Sequence, residues 1–129
     1  MDGTIVPVDK YVKLAKKYNA LTYLDEVHAV GLYGKGGRGV AHKYKISDKV
    51  DIINGTLAKG FGQIGGYIVG NRNLIEFIRC FTSGFIFTTS IMPSVAAAAS
   101  KSIELVEKSD DLRKNIFSKA KYFLSLIHI

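Results

Sequence analysis

The stretch VDIINGTLAKGFGQIGGYIVG, residues 50–70, places two short apolar segments on either side of a glycine-rich loop. Runs of isoleucine, valine and tyrosine bounded by glycine are typical of β-strands, so we predict strands at about 50–54 and 66–69. The loop between them carries one lysine, Lys59, between an alanine and a glycine. Three interpretations of Lys59 are open: part of a phosphate-binding loop, a surface turn, or a lysine that forms a covalent bond.

The rest of the chain extends this pattern into an alternation of strands and helices. ALTYLDEV predicts a buried strand at about 20–25, and GFIFTTS predicts a fourth strand at about 85–88. Apolar periodicity predicts helices over 8–19 and 71–81, and two more that begin at Pro93 and at about residue 110. The predicted core-facing residues are Val8, Val12, Ala15, Leu74, Ile75, Ile78, Val95, Ala99, Ile103, Val106, Leu112, Ile116, Ala120 and Phe123. The fold class predicted is therefore α/β, a sheet with flanking helices.

Composition is ordinary for a globular domain, but the charge is basic. The chain has 129 residues, 47% hydrophobic and 22% charged, with a formal net charge of +7. The lysines are dispersed, and the one basic segment with interleaved tyrosines, KYVKLAKKY, is more simply a solvated helix face, so we expect no nucleic-acid partner. No apolar run approaches the length of a transmembrane helix, and we expect no transmembrane segment.

The single cysteine, Cys80, excludes a disulfide framework and a cysteine-based zinc cluster within these residues. It follows IEFIR in a segment predicted to be helical, where we expect a buried structural thiol.

Three polar clusters follow predicted strands: Asp25–His28, Thr56–Lys59 and Thr88–Ser90. In open α/β sheets, ligands bind at the carboxyl ends of the strands. We therefore expect these clusters to contribute to one site at one edge of the sheet.

Two phosphate-loop interpretations fail on context. GFGQIG, residues 60–65, fits the dinucleotide-binding pattern of glycines, but a strand-like segment follows it where the pattern requires a helix. Neither GKGGRG nor GTLAKG supplies a complete Walker motif. A metal site at Asp25 and His28 lacks an evident third ligand, so no metal is predicted, although each residue also has a plain structural interpretation as a loop cap or a satisfied loop histidine.

Taken together, the motifs resemble a known family. YLDEVHAVGLYG, IINGTLAKGFGQIGGYIVG and GFIFTTSIMP are similar to the α-oxoamine synthases, which are fold-type I pyridoxal-phosphate enzymes, and the likeness runs in order from about residue 1 to 107. The resemblance implies a mostly parallel sheet, of which this chain supplies an incomplete part. It also implies condensation of glycine with succinyl-CoA to give 5-aminolevulinate, CoA and carbon dioxide, the first step of heme biosynthesis.

The resemblance also assigns roles to individual residues. It implies that Lys59 holds pyridoxal 5'-phosphate covalently and then removes a proton from glycine, that Asp25 partners the ring nitrogen, and that His28 donates to the ring 3-oxygen. Thr56 is implied as a phosphate contact. Thr88 and Thr89 are implied to reach the phosphate of a neighbouring subunit's cofactor, which implies a homodimer.

The same resemblance sets expectations for the limits of the chain. We expect residues 1–123 to be part of the cofactor-binding large domain, residues 124–129 to be a non-native tail, and the chain to be inactive alone. The implied location is the mitochondrial matrix for a eukaryotic source and the cytoplasm for a bacterial one. The alternatives are a sister enzyme that makes 2-amino-3-ketobutyrate or 8-amino-7-oxononanoate, and a non-enzymatic basic binding module.

Overall fold

A computed structural model describes residues 3–127. Helices and strands alternate in the first half of this range, as the sequence predicts, and after the last strand only helices follow. The helices are α1 (Val8–Lys17), α2 (Val40–Lys43), α3 (Arg72–Phe81), α4 (Ser83–Ile86), α5 (Pro93–Lys108) and α6 (Asp110–Leu126), and the strands are β1 (Tyr23–Asp25), β2 (Ile52–Thr56) and β3 (Gly66–Gly70). Short 3₁₀ turns at Lys35–Gly37 and Ser47–Lys49 connect β1 and β2 on either side of α2.

The three strands form one sheet in the order β1-β2-β3. β1 runs parallel to β2, with Tyr23 opposite Ile52 and Asp25 opposite Asn54. β3 runs antiparallel to β2, with Thr56 opposite Gly66. The predicted α/β fold is confirmed, and because β1 and β2 are parallel, the loops that follow them leave the sheet at the same edge.

A reciprocal set of hydrogen bonds joins the residues that precede the two parallel strands. The N–H and hydroxyl of Thr22 donate to the Asp51 carboxylate at 2.8 and 2.7 Å. The Asp51 N–H donates back to the Thr22 hydroxyl at 2.9 Å. These bonds lower the pKa of Asp51, the side-chain bond from Thr22 most of all. This Thr22–Asp51 clamp fixes the register of β1 against β2 at their amino-terminal ends.

Two clusters of buried apolar side chains stabilise the arrangement. The first lies under α1, α2 and the loop before β2 and consists of Val8, Val12, Val40, Ala41, Ile46 and Val50. The second lies between the loops that follow β1 and β2 and the helix α5, and consists of Val30, Leu57, Phe61 and Ala99. The second cluster therefore packs together the two loops that carry the predicted site residues.

Local sequence signals account for the starts of two helices. The side chain of Asn71 accepts a hydrogen bond from the N–H of Asn73 at 2.9 Å and caps α3. Pro93 is the first residue of α5, where its missing N–H has no acceptor to satisfy. Leu74, Ile75 and Ile78 are partly buried on α3, as predicted.

The predicted fourth strand at 85–88 is wrong. Residues 83–86 form α4, and the N–H groups of Phe85 and Ile86 donate to the carbonyl of Thr82. Residues 81–94 are all exposed, and none of the strands described extends the sheet toward them. Aromatic and β-branched residues favour a strand only when a neighbouring strand completes the backbone hydrogen bonds, so local helical bonds form instead.

Other predicted details also differ from the structure. β1 is shorter than predicted, and Tyr23 and Asp25 are exposed rather than buried. Cys80 is exposed on α3 rather than being a buried thiol. Ala99 is buried on α5, but the predicted inner residues of α6 are exposed. The buried residue of α6 is instead Arg113, which donates to the carbonyl of Val106 and the carboxylate of Asp110, and the Phe117 ring lies beside that of Tyr33.

The end of α6 overlaps the predicted tail, and the helices were also compared with the length of a membrane span. α6 continues without a break to Leu126, so it includes the first residues of the predicted tail, while residues 128 and 129 lie outside the described residues. Between residues 3 and 127, no helix combines the length and the apolar character needed to cross a membrane.

Replacing Asp51 with asparagine tests the clamp. Both Thr22 donors reach the same Asp51 oxygen, so an asparagine can still accept them but without the charge. Hydrogen bonds to a charged group contribute about 1.5–3 kcal/mol and neutral ones about 1 kcal/mol, so we expect Asp51→Asn to lower the free energy of unfolding by about 1 kcal/mol near neutral pH. Because folding lowers the pKa of Asp51 below its ordinary value of 3.8, its contribution is present above that value and is lost as the pH falls through the folded pKa.

Urea unfolding across this acid range measures the effect. Asp48→Asn, on the exposed 3₁₀ turn nearby, is the matched control and should leave both stability and its pH dependence nearly unchanged. Equal behaviour of the two variants would contradict the assigned clamp.

Candidate functional site

Lys59 lies on a closed loop that joins β2 to β3. The N–H of Leu57 donates to the carbonyl of Gly65 at 2.9 Å, and the N–H of Gln63 donates to the carbonyl of Leu57 at 2.7 Å. The N–H of Gly62 donates to the carbonyl of Lys59 at 3.1 Å, which forms a tight turn directly after the lysine. Leu57 and Phe61 are buried while Lys59 between them is exposed, so the loop anchors itself on its flanks and projects the lysine from its tip.

The hydroxyl of Thr56 helps to close this loop. It donates to the carbonyl of Gly65 and accepts from the N–H of Ala58, both at 3.1 Å. The only proton of this hydroxyl is therefore already engaged. The amine of Lys59 forms no hydrogen bond or ion pair with any residue between 3 and 127, which leaves it open to a ligand.

Asp25 is the last residue of β1, and His28 lies on the turn that follows. The Asp25 carboxylate accepts a hydrogen bond from the N–H of Val27 at 2.9 Å through Oδ1, which is the loop-cap role predicted as one alternative. The side chains of both Asp25 and His28 are exposed. Oδ2 of Asp25 and the His28 ring have no hydrogen-bond partner in the part of the chain that the structure describes, so both remain open to a ligand.

The turn after β1 and the Lys59 loop lie against each other. Val30 packs with Leu57 and Phe61 in the second buried cluster. The backbones of residues 31 and 60 also approach closely, and a Cβ added at Gly60 would lie 2.8 Å from the carbonyl oxygen of Val30. Asp25, His28 and Lys59 therefore belong to two loops in direct contact at one edge of the sheet.

Helix α5 supports the Lys59 loop from the other side. The hydroxyl of Ser102 donates to the carbonyl of Phe61 at 2.7 Å, and Ala99 completes the cluster beside Phe61. Sequence reasoning predicted Ala99 as a core residue but gave no role to Ser102, because a serine on a helix carries no signal for a bond 41 residues away.

Thr88 and Thr89 are not brought next to Lys59 by any contact of the described residues. Both are exposed, and the hydroxyl of Thr88 donates to the carbonyl of Gly84 within its own segment. The same segment reaches the end of the Lys59 loop through Ile91, whose Cγ2 would lie 3.6 Å from a Cβ added at Gly65. The two threonines follow α4 rather than a strand, which differs from the sequence prediction.

The most deeply buried polar side chain beside the site, Glu26, was missed by sequence reasoning. Glu26 is 2% exposed, and its two carboxylate oxygens accept from the N–H groups of Val40 and Ala41 at 2.5 and 2.7 Å. The only signal in the sequence was a second acidic residue inside the otherwise apolar YLDEVHAV. Its partners are backbone groups 14 and 15 residues away, which no residue pattern specifies.

Tyr67 on β3 lies within electrostatic range of this carboxylate. It pairs with Gly55, and its ring occupies the space where a side chain at residue 55 would lie. Burial raises the pKa of the Tyr67 hydroxyl, and the negative charge of Glu26 raises it further. Tyr67 is therefore a neutral hydrogen-bonding group at neutral pH.

The residues present fit pyridoxal phosphate better than they fit a metal. Lys59 offers an unpaired amine for the aldehyde, and Asp25 offers a free carboxylate oxygen for a protonated ring nitrogen on an adjoining loop. Ala58, the residue before the lysine, is small and exposed, so it does not shield Lys59 from a flat ring. By contrast, no group of three or more histidine, cysteine, aspartate or glutamate side chains between residues 3 and 127 is placed to hold a metal ion.

A Cβ at residue 60 tests the contact between the loops. Gly60→Ala should push the Lys59 loop away from Val30 and lower the free energy of unfolding by about 1–3 kcal/mol, the usual cost of overpacking. Gly84→Ala is the control: nothing lies within 4 Å of its Cβ, and a helical alanine there should be neutral or slightly stabilising. Urea unfolding compares the two, and equal stability would contradict the close approach.

Comparison with known proteins finds 5-aminolevulinate synthases among the relatives of this chain. 5-Aminolevulinate synthase of Rickettsia bellii is 54% identical over 124 residues, which are 94% of this chain and 30% of the relative. The erythroid-specific, mitochondrial 5-aminolevulinate synthase of Delphinapterus leucas is 44% identical over 129 residues, which are 98% of this chain and 22% of the relative. The chain thus spans 22% to 30% of the length of these relatives.

A solved structure agrees in fold. Serine palmitoyltransferase from S. paucimobilis, with a bound PLP–myriocin aldimine, superposes with a TM-score of 0.87 at 35% identity over 93% of this chain and 31% of that chain. The predicted fold-type I architecture is therefore confirmed. The sequence profile of the family described as aminotransferase class I and II matches residues 1–128, and the chain belongs to that family.

Proposed function

We propose that this chain carries the cofactor-binding part of a pyridoxal phosphate-dependent acyltransferase that condenses glycine with succinyl-CoA to 5-aminolevulinate, CoA and carbon dioxide. The observation that carries the proposal is the contact between two loops at the carboxyl ends of parallel β1 and β2, one bearing Asp25 and the other Lys59. The identity of 54% to a 5-aminolevulinate synthase, against 35% to a serine palmitoyltransferase, supports the choice of substrates.

Pyridoxal phosphate, when bound, supplies a ring that accepts electrons from the bond broken on the substrate. Lys59 would hold the cofactor covalently through Nζ, and the same amine would serve as the general base toward the α-carbon proton of glycine. Asp25 would face the ring nitrogen and favour its protonated form, because its negative charge stabilises the positive form. His28 would donate a hydrogen bond to the ring 3-oxygen.

Threonine hydroxyls are proposed to bind the phosphate. Thr56 would exchange the carbonyl of Gly65 for a phosphate oxygen, since its one proton is engaged there. Thr88 and Thr89 are exposed on a segment that reaches the Lys59 loop, and we assign them to the phosphate held by a second subunit of a homodimer. We also propose that the compartment follows the source, the mitochondrial matrix in a eukaryote and the cytoplasm in a bacterium.

The test requires a full-length setting. A hybrid protein, in which the matched part of this chain replaces the corresponding segment of the Rickettsia bellii synthase, provides one. We expect the hybrid to acquire the visible absorbance of bound cofactor, and borohydride to fix the cofactor to a peptide containing Lys59. Lys59→Ala should abolish the trapping and alter the absorbance, whereas Lys13→Ala, an exposed lysine on α1, should change neither. Trapping that persists in Lys59→Ala would overturn the assignment.

Substituting asparagine for Asp25 separates the two roles of this residue. The asparagine side chain keeps an oxygen to accept from the N–H of Val27, so the turn is preserved, but the charge facing the ring nitrogen is lost. We expect Asp25→Asn in the hybrid to lower kcat about a hundredfold or more while the fold is unchanged. A loop-cap role alone predicts an unchanged kcat, and steady-state assay with glycine and succinyl-CoA decides between them.

A further inference from the structure

The Glu26 carboxylate is buried, yet the proposed chemistry gives it no part. Taking a carboxylate out of water is costly unless hydrogen bonds replace its hydration. Two N–H groups at the start of α2 provide them, those of Val40 and Ala41. These are donors that the helix itself leaves unsatisfied. The interaction therefore caps the first residues of α2 and also offsets the cost of burying the Glu26 carboxylate.

Residue 26 also holds the turn after β1 through its backbone. Its N–H donates to the carbonyl of Asn54 on β2 at 2.8 Å, which extends the parallel pairing one residue beyond Asp25. Its carbonyl accepts from the N–H groups of Ala29 and Val30 at 2.7 and 2.9 Å, which closes the turn that contains His28. One residue thus joins β2, the His28 turn and α2.

The backbone before α2 leaves room for this carboxylate. Gly39, the residue before α2, has φ +101°, a conformation that other residues rarely adopt. A Cβ at residue 39 would also overlap the Glu26 carboxylate. The close fit of the Glu26 carboxylate against Gly39 indicates that the contact between residue 26 and α2 is rigid. A surface turn that accepts substitutions would not require this fit.

We propose that Glu26 is a positioning residue that holds Asp25 and His28 in place relative to Lys59. The inference deepens the proposed function and rests on it. The side chains of Asp25 and His28 form no hydrogen bond to another element among residues 3–127, so their positions depend on the anchorage of Glu26, which lies between them in the chain. Val30, which the same turn carries, packs against the Lys59 loop, so a shift at residue 26 also changes the contact between the two loops.

Glutamine cannot reproduce this anchorage. Its amide has one acceptor oxygen, and its NH₂ group would face a backbone N–H, donor against donor. One of the two N–H groups of α2 would then be buried without a partner. Glu26→Asp keeps the charge but withdraws it by one methylene, so it is a milder perturbation of the same contact.

The experiment uses the hybrid protein with three variants: Glu26→Gln, Glu26→Asp and Asp51→Asn. Asp51→Asn is the matched control, because it weakens a clamp at the opposite ends of the same two strands, while the bond from the Glu26 N–H to the carbonyl of Asn54 still holds the register beside Asp25. The readouts are the dissociation constant for pyridoxal phosphate, borohydride trapping at Lys59 and the thermal midpoint. We expect Glu26→Gln to weaken cofactor affinity about tenfold or more, Glu26→Asp to have an intermediate effect, and Asp51→Asn to lower stability without changing affinity.

The outcomes separate this inference from the proposed function. Failure of the unsubstituted, folded hybrid to bind the cofactor would overturn the proposed function. Normal binding by the hybrid together with unchanged affinity in Glu26→Gln, or with an equal loss in Asp51→Asn, would overturn the positioning role alone. If Glu26→Gln does not fold, Glu26→Asp decides the question by the same comparison of affinity with stability.

Discussion

The arrangement depends on the parallel pairing of β1 with β2. Only three residue pairs define it, from Tyr23 opposite Ile52 to Asp25 opposite Asn54, so its register needs support at both ends. The Thr22–Asp51 clamp supplies that support at the amino-terminal ends of the strands. The hydrogen bond from the N–H of Glu26 to the carbonyl of Asn54 supplies it at the carboxyl ends. A slip of one residue would turn Asp25 to the other face of the sheet.

The candidate site residues lie at strand ends and on loops, and contacts with the neighbouring helices hold these loops in place. The Lys59 loop is closed by its own backbone and held by Leu57, Phe61 and α5, so an exposed amine is presented from an anchored base. In the same way, the bonds from two N–H groups of α2 to the Glu26 carboxylate hold the turn that lies between Asp25 and α2 and contains His28. Positioning of this kind contributes to catalysis because the reacting groups need not be ordered when the substrate binds.

Sequence patterns were sufficient for the parts of the structure that depend on local order. The glycine-bounded runs around Lys59 predicted β2 and β3, and Pro93 marked the first residue of α5. The Asp25–His28 and Thr56–Lys59 clusters were expected at one edge of the sheet because they follow predicted strands, and the loops that carry them are in contact there.

The failures share a physical cause, the dependence on distant partners. GFIFTTS has the composition of a strand, but without a neighbouring strand its backbone forms the local bonds of α4. No sequence pattern predicts the role of Glu26, because its partners are backbone N–H groups that become its neighbours only in the folded chain.

An experimental structure of the hybrid protein with pyridoxal phosphate would test the central claim most directly. The account predicts continuous density from Nζ of Lys59 to the cofactor and a carboxylate oxygen of Asp25 within hydrogen-bonding distance of the ring nitrogen. A cofactor bound away from Lys59, or a ring nitrogen facing some group other than Asp25, would contradict it.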